Sequence, residues 1–456
     1  MDNGQSWEEV LRSILGEEGA SQAIEAMRAA GLDPETMGEA AGVPTDPMQL
    51  QAMLAQMRTL FSSPDTGPVN WQLAHDVARQ QVHTGGDPIV TAAEDARIRQ
   101  ALQIADLWLD PVTELVAAAP TRRALSRSAW VEETLPVFQD LASPVAEHIV
   151  DAISGLLSGE APPFGDETLG LSMFGDSGGL NAPDLLRKLG SAAFGMQLGG
   201  AVAHLASETF GFSDIGVPLG AAGSAAMVPR NVDEFSDGLE VPADQVLQFL
   251  ALREAAHTRL YGAAPWLRGH VLGIVRNYAS EIAIDLPAME EAFRSIDPTD
   301  PEQLRQALGS GIFALEVTQS QRESLENLET VLAVIEGWVE CVVTDAALGQ
   351  IPELPALTEM MRRRRAAGGP AEDAFKTLVG LELRPRRLRD AAAMWTAVTA
   401  ERGINGRDQL WSHPDLLPNS AALDDPANLG RSDSEFDDAL AALLEGGFDD
   451  DAPKDD

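Results

Sequence analysis

Apolar residues recur every three to four positions through most of this chain, the spacing of amphipathic helices, while strict apolar–polar alternation is scarce. The segments "WQLAHDVARQQV", "ADLWLDPVTELVAAA" and "LENLETVLAVIEGWVECVVTDAAL" carry the pattern most clearly. Residues 1–63 read as a small helical module. Ser6-Trp7-Glu8-Glu9 is a capping-box sequence, followed by an apolar stripe of Val10, Leu11, Ile14 and Leu15. A second amphipathic helix follows Asp46-Pro47, with Met48, Leu50, Met53, Leu54, Met57 and Leu60 at helical spacing. "SSPDTGP" (62–68) then reads as a linker. Residues 64–425 form the main domain, and no internal repeat is visible in it. Its clearest loop is "GFSDIGVPLGAAGSAAMVPRNV" (211–232), too rich in Gly and Pro for a helix. Residues 426–456 are expected to be a disordered acidic tail. A patch within it, "FDDALAALLEGGF", sets Phe436, Leu440 and Leu444 on one helical face and offers a peptide that folds onto a partner. The fold class expected is mainly α.

Composition agrees with that reading. Aromatic residues are 5% of the chain and small residues are abundant, which suits helices packed through alanine and glycine better than a β-sandwich. The nearest approach to a membrane span is 189–206, "LGSAAFGMQLGGAVAHLA", which holds Gln197 and His204 and is barely long enough to cross a bilayer. Its Gly195-x-x-x-Gly199 spacing allows close helix approach, so it reads as a buried helix. The N-terminus lacks the basic region and apolar core of a secretion signal, and a cytoplasmic location is expected. One cysteine, Cys341, excludes an intrachain disulfide and a thiolate zinc cluster and reads as a small buried hydrophobe.

Charge narrows the partners. With 71 acidic against 32 basic side chains the formal charge is −39, which repels phosphate backbones and anionic lipid. Neither nucleic acid nor a membrane is an expected partner; a peptide or protein is. Arginines 362–365, Lys376, Arg384, Arg386, Arg387 and Arg389 form a basic island that is expected to pair with the chain's own carboxylates, with an RNA contact as the alternative.

The candidate chemistry lies in "LREAAHTRLYGAAPWLRGH" (252–270). A helical His-Glu-x-x-His places two imidazoles one turn apart on a metal, with the glutamate as general base toward the bound water. Here Glu254 and His257 have the required offset, but position 253 is arginine. A guanidinium stays protonated and has no lone pair to donate, so Arg253 cannot ligate zinc. An ordinary structural helix is therefore one reading of the stretch. In "VIEGWVECVV", Glu336 and Glu340 lie one turn apart in an apolar run, and a buried carboxylate needs a partner. In a metal enzyme that partner would be the ion. In this chain the fixed fork of Arg253 suits a carboxylate, so its charge is expected to stand where a metal cation would. His270 lies beyond a bend expected at Pro265, and His75, His83, His148, His204 and His413 offer no paired ligand.

Longer blocks carry a resemblance. "GPVNWQLAHDVARQ", "FGMQLGGAVAHLASETFGFSDIGVPLG", "LALREAAHTRLYGAAPWLRGHV", "LETVLAVIEGWVECVV", "RRRRAAGGPAEDAFKTLVGLELRPRRLRDAA" and "GRDQLWSHPDLLP" resemble the bacterial zincin-like metallopeptidase family, described as hydrolases or zinc-dependent metalloproteases. The resemblance spans about residues 67–425. It implies a mainly helical domain with a zincin-style helix, in which Glu254 matches the general base and His257 the second ligand. Related branches have Glu-Gly-His where this chain has Glu336-Gly337-Trp338, so Trp338 stands at the position of a lost ligand. The expected function is that of a catalytically impaired zincin-fold binding or scaffold protein with no cofactor. The alternative is an active zinc hydrolase using His257, Glu336 and Glu340 as ligands and Glu254 as base. A third reading is an adaptor that works through its N-terminal helices and acidic tail.

Overall fold

Local capping starts the first helices. The Asn70 side chain accepts the Leu73 amide at the head of α1 (Trp71–Thr84), and Thr91 and Glu94 form a reciprocal capping box at α2 (Ala92–Leu109). A short strand, β1 (Thr121–Ala124), leads into α3 (Arg127–Ser158). The computed structural model describes residues 67–117, 120–158, 182–281, 283–284, 315–316, 318–366, 374–376 and 387–429. The N-terminal module and the part of the acidic tail from residue 430 onward lie outside them.

Helix α4 (Ala182–Glu208) contains the apolar 189–206 run and packs against α1. An added Cβ at Gly195 would lie 2.6 Å from the Asn70 carbonyl oxygen, and one at Gly199 2.4 Å from that of Ala74, so the two helices touch backbone to backbone. Leu198, Val202 and Leu205 are buried in the core. No helix among the described residues is long and apolar enough to cross a membrane.

The 211–232 stretch differs from a plain loop. It contains β2 (Ser224–Met227), which pairs in parallel with β1 from Thr121↔Ser224 to Ala124↔Met227, and on its other side Gly211 bridges Met227. Helix α5 (Pro229–Ser236) then begins, with proline at its first turn, where a missing N–H does no harm. Four-residue strands brought together by the intervening α3 and α4 are too short to show alternation in sequence, which is why they were not visible there. A second pair, β3 (Ala283–Ile284) and β4 (Leu315–Glu316), is antiparallel.

The centre of the domain is α6 (Ala243–Ala263), packed on α2, α8 (Gln319–Ala347), β2 and α9 (Leu354–Ala366). Pro265 begins α7 (Pro265–Ser280), and α10 (Leu388–Asp408) and α11 (Ser420–Asp424) follow α9. From Phe249 to Leu260 every residue of α6 is buried. Such a helix is ordinarily apolar all round, yet this one carries Arg253, Glu254, His257, Thr258 and Arg259. Each needs a partner inside the protein. Arg259 finds Asp106 on α2 at 3.1 Å, Asp110 at 2.7 Å and the Leu115 carbonyl at 3.1 Å. The other charged groups face α8, α9 and the segment before β2.

Candidate active site

One turn of α6 separates Arg253 from His257, so both side chains reach the same point on α8. Arg253 Nη2 donates to Glu336 Oε2 at 2.6 Å, and His257 Nε2 contacts Glu336 Oε1 at 2.9 Å. A third partner arrives from α9, where Arg365 Nη2 lies 2.8 Å from Oε1. Glu336 is 2% exposed. Burial alone would raise its carboxyl, but the charges of Arg365, His257 and Arg253 hold it well below the usual carboxylate range. His257 Nδ1 donates to the Arg253 carbonyl at 2.8 Å. With a carboxylate at Nε2 and a carbonyl at Nδ1, both ring nitrogens face acceptors.

Glu254 turns toward the segment before β2. The amides of Phe212 and Ser213 each donate to its carboxylate at 3.3 Å. Gly211 makes room: a Cβ there would lie 2.7 Å from Glu254 Oε2 and 2.7 Å from the Ala226 carbonyl oxygen. Burial pushes the Glu254 carboxyl up to about 7, against the pull of the Phe212, Ser213 and Ala226 N–H groups and with a further push from Asp214. Glu254, Arg253, His257, Asp214, Met227 and Leu250 border a cavity of about 10 Å³. That space is about one water molecule, not a peptide bond. A carboxyl titrating near neutrality beside it has the ionisation a general acid or base needs.

The remaining sequence candidates have other partners. Both Glu340 oxygens are engaged by Arg362, with Nε at 3.0 Å from Oε2 and Nη2 on Oε1. Trp338 is fully buried and its indole N–H donates to Asp408 at 2.9 Å. Asp408 also accepts from Thr113 Oγ1 at 2.6 Å and the Glu114 amide at 2.8 Å. Cys341 is buried, which raises its thiol. The described arginines of the basic island pair within the chain, Arg363 and Arg389 with Glu359 and Arg387 with Asp424. Arg365 is the site residue that sequence reasoning missed. Its four-arginine run was conspicuous, but nothing local says which of the four meets a buried acid.

The sequence model of the zincin-like metallopeptidase family matches residues 69–429. The chain belongs to the zincin-like metallopeptidase family. No curated protein matches it. Among solved structures it is similar to one from Chloroflexus aurantiacus titled a "putative hydrolase with a novel fold", at 18% identity and a TM-score of 0.55, covering 79% of this chain and 97% of that one. That likeness speaks for the fold alone. The family implies zinc, which takes lone pairs from imidazoles, carboxylates or thiolates. The side chains of this family member do not fit that ion as arranged. Position 253 offers a guanidinium, His257 Nε2 is taken up by Glu336, Glu336 is held by the guanidiniums of Arg253 and Arg365, and Glu340 is held by Arg362. Among the described residues no group of three or more His, Cys, Asp or Glu is placed to hold a metal ion.

Proposed function

We propose that this zincin-fold protein is catalytically impaired in zinc-dependent hydrolysis and serves as a binding or scaffold module for a peptide or protein partner in the cytoplasm. One observation carries the reading: the Arg253 guanidinium, 2.6 Å from Glu336, supplies positive charge where the family chemistry calls for a metal ion. A side chain without a lone pair cannot be exchanged for a ligand by a change of rotamer. The high negative charge favours a partner with basic or neutral surfaces over nucleic acid or anionic lipid. The test is elemental analysis and peptide-hydrolysis assay of full-length protein purified without a histidine tag. Less than stoichiometric zinc and no chelator-sensitive cleavage are expected. Stoichiometric zinc that disappears on His257→Ala overturns the reading.

The elevated carboxyl of Glu254 favours a second reading, an active hydrolase with Glu254 as general base. Its ligands would be His257, Glu336 and Glu340. It requires Arg253, Arg365 and Arg362 all to release those carboxylates, and the same zinc measurement separates the two. An adaptor role for the N-terminal helices and tail rests on residues 1–66 and 430–456, outside the described residues; deleting 426–456 and measuring partner retention tests it.

A further inference from the structure

Glu336 meets two guanidinium groups, from two different helices. Arg253 of α6 takes Oε2 at 2.6 Å, and Arg365 of α9 lies 2.8 Å from Oε1, the oxygen that also faces His257. Arg365 is not a surface arm resting on the site. Its side chain is 11% exposed, and Nη2 also donates to the Asp214 carbonyl at 2.6 Å. Its neighbours pin the same helical turn from both sides. Arg362 grips Glu340 on α8, while Arg364 donates to the Glu208 carbonyl at 2.8 Å with its guanidinium 4.7 Å above the Phe210 ring. The end of α9 is thereby fixed across α8, the end of α4 and the segment before β2. None of these anchors involves Arg253.

Zinc brings two positive charges to its ligands. Arg253 and Arg365 together also bring two, and they bring them to a single buried carboxylate that would be strongly destabilised without compensation. Resting on the reading of the site as one without zinc, we infer that Arg253 and Arg365 act together in place of a divalent cation, and that Arg365 is a barrier to metal in its own right. An imidazole restored at position 253 then faces a Glu336 still neutralised by Arg365, and an incoming ion faces a fixed positive charge within hydrogen-bond reach of the oxygen it must take. Arg365 is in this sense a specificity-determining residue of the site, one that selects against metal.

The test uses full-length, untagged protein and zinc ions alone as the probe, with stoichiometry and affinity from equilibrium dialysis and elemental analysis, and thermal melting with and without zinc. Three variants are compared: Arg253→His, Arg253→His with Arg365→Gln, and Arg253→His with Arg365→Lys. The Gln double variant is expected to bind one zinc per chain at least about tenfold more tightly than the single variant, since one unit charge at this range changes an ion's binding at least that much. The Lys double variant, which keeps the charge, is expected to bind as weakly as the single one. Equal affinity of Arg253→His and the Gln double variant overturns the inference, as does equal affinity of the Gln and Lys doubles. If the Gln double variant is unfolded in the absence of metal, saturating zinc is expected to restore its melting transition, and a chain that stays unfolded with zinc overturns the inference too. Stoichiometric zinc on the unaltered protein marks failure of the underlying reading. Equal binding by single and double variants, with a metal-free unaltered protein, marks failure of this inference alone.

Discussion

Replacing Glu254 by Gln should flatten the dependence of this protein's stability on pH across the weakly acidic to neutral range. In the folded chain the carboxyl ionises at about 7 against an ordinary value of 4.5, because burial, with Asp214 nearby, outweighs the backbone N–H groups of Phe212, Ser213 and Ala226 that favour its charged form. The difference corresponds to about 3 kcal/mol at about 1.4 kcal/mol per pH unit. The sign follows from which state binds the proton more tightly. Here the folded state does, so the contribution is fully present below about pH 4.5 and is lost as pH rises through about 7. Glu336 has the opposite sign: its folded-state ionisation is depressed, so its contribution is present above the ordinary carboxylate range and is lost progressively as pH falls below that range into strong acid. Both proteins carry Glu336, so its contribution cancels in the difference between them. Glutamine cannot ionise and presents one acceptor oxygen to two amides, a constant cost of about 1 kcal/mol. The assay is urea unfolding of both proteins at several values between about pH 4.5 and about pH 8, read as the difference between their unfolding free energies. The variant should gain on the unaltered protein by about 3 kcal/mol from the acid end to the neutral end. Parallel profiles would refute the claim that Glu254 is a buried acid with an elevated ionisation.

Three further outcomes follow from the packing. Arg253→Ala leaves buried Glu336 with His257 and Arg365 alone and should lower stability by about 3 kcal/mol in denaturant titrations, because removing one partner strands the other's charge. Gly199→Ala drives a methyl to 2.4 Å from the Ala74 carbonyl and should cost about 1–3 kcal/mol, whereas Gly269→Ala on α7 meets nothing within 4 Å and should be neutral or gain up to about 1 kcal/mol by helix propensity. Trp338→Phe keeps most of the buried ring but removes the indole donor to Asp408, and a loss of about 1 kcal/mol in the same assay is expected, since Asp408 retains Thr113, the Glu114 amide and Arg407.

Features that depend on neighbouring positions along one helix were readable without coordinates. The mainly helical class, the close approach offered by Gly195 and Gly199 and the shared face of residues 253 and 257 follow from a repeat of about 3.6 residues per turn, and the helix break at Pro265 follows from a ring that removes the backbone N–H. The burial of Glu336 was likewise implied by the apolar run around it. What the local pattern could not supply was the choice among partners. Glu336 and Glu340 are one turn apart and chemically alike, yet one meets Arg253, His257 and Arg365 while the other meets Arg362. Arg364 and Arg365 are adjacent, yet one lies over Phe210 and the other reaches Glu336. Those choices, like the pairing of β1 with β2, depend on the rotation and separation of elements distant in sequence. Electrostatic and hydrogen-bond energies change over a few ångströms, a scale set by how α6, α8 and α9 pack rather than by the order of their residues.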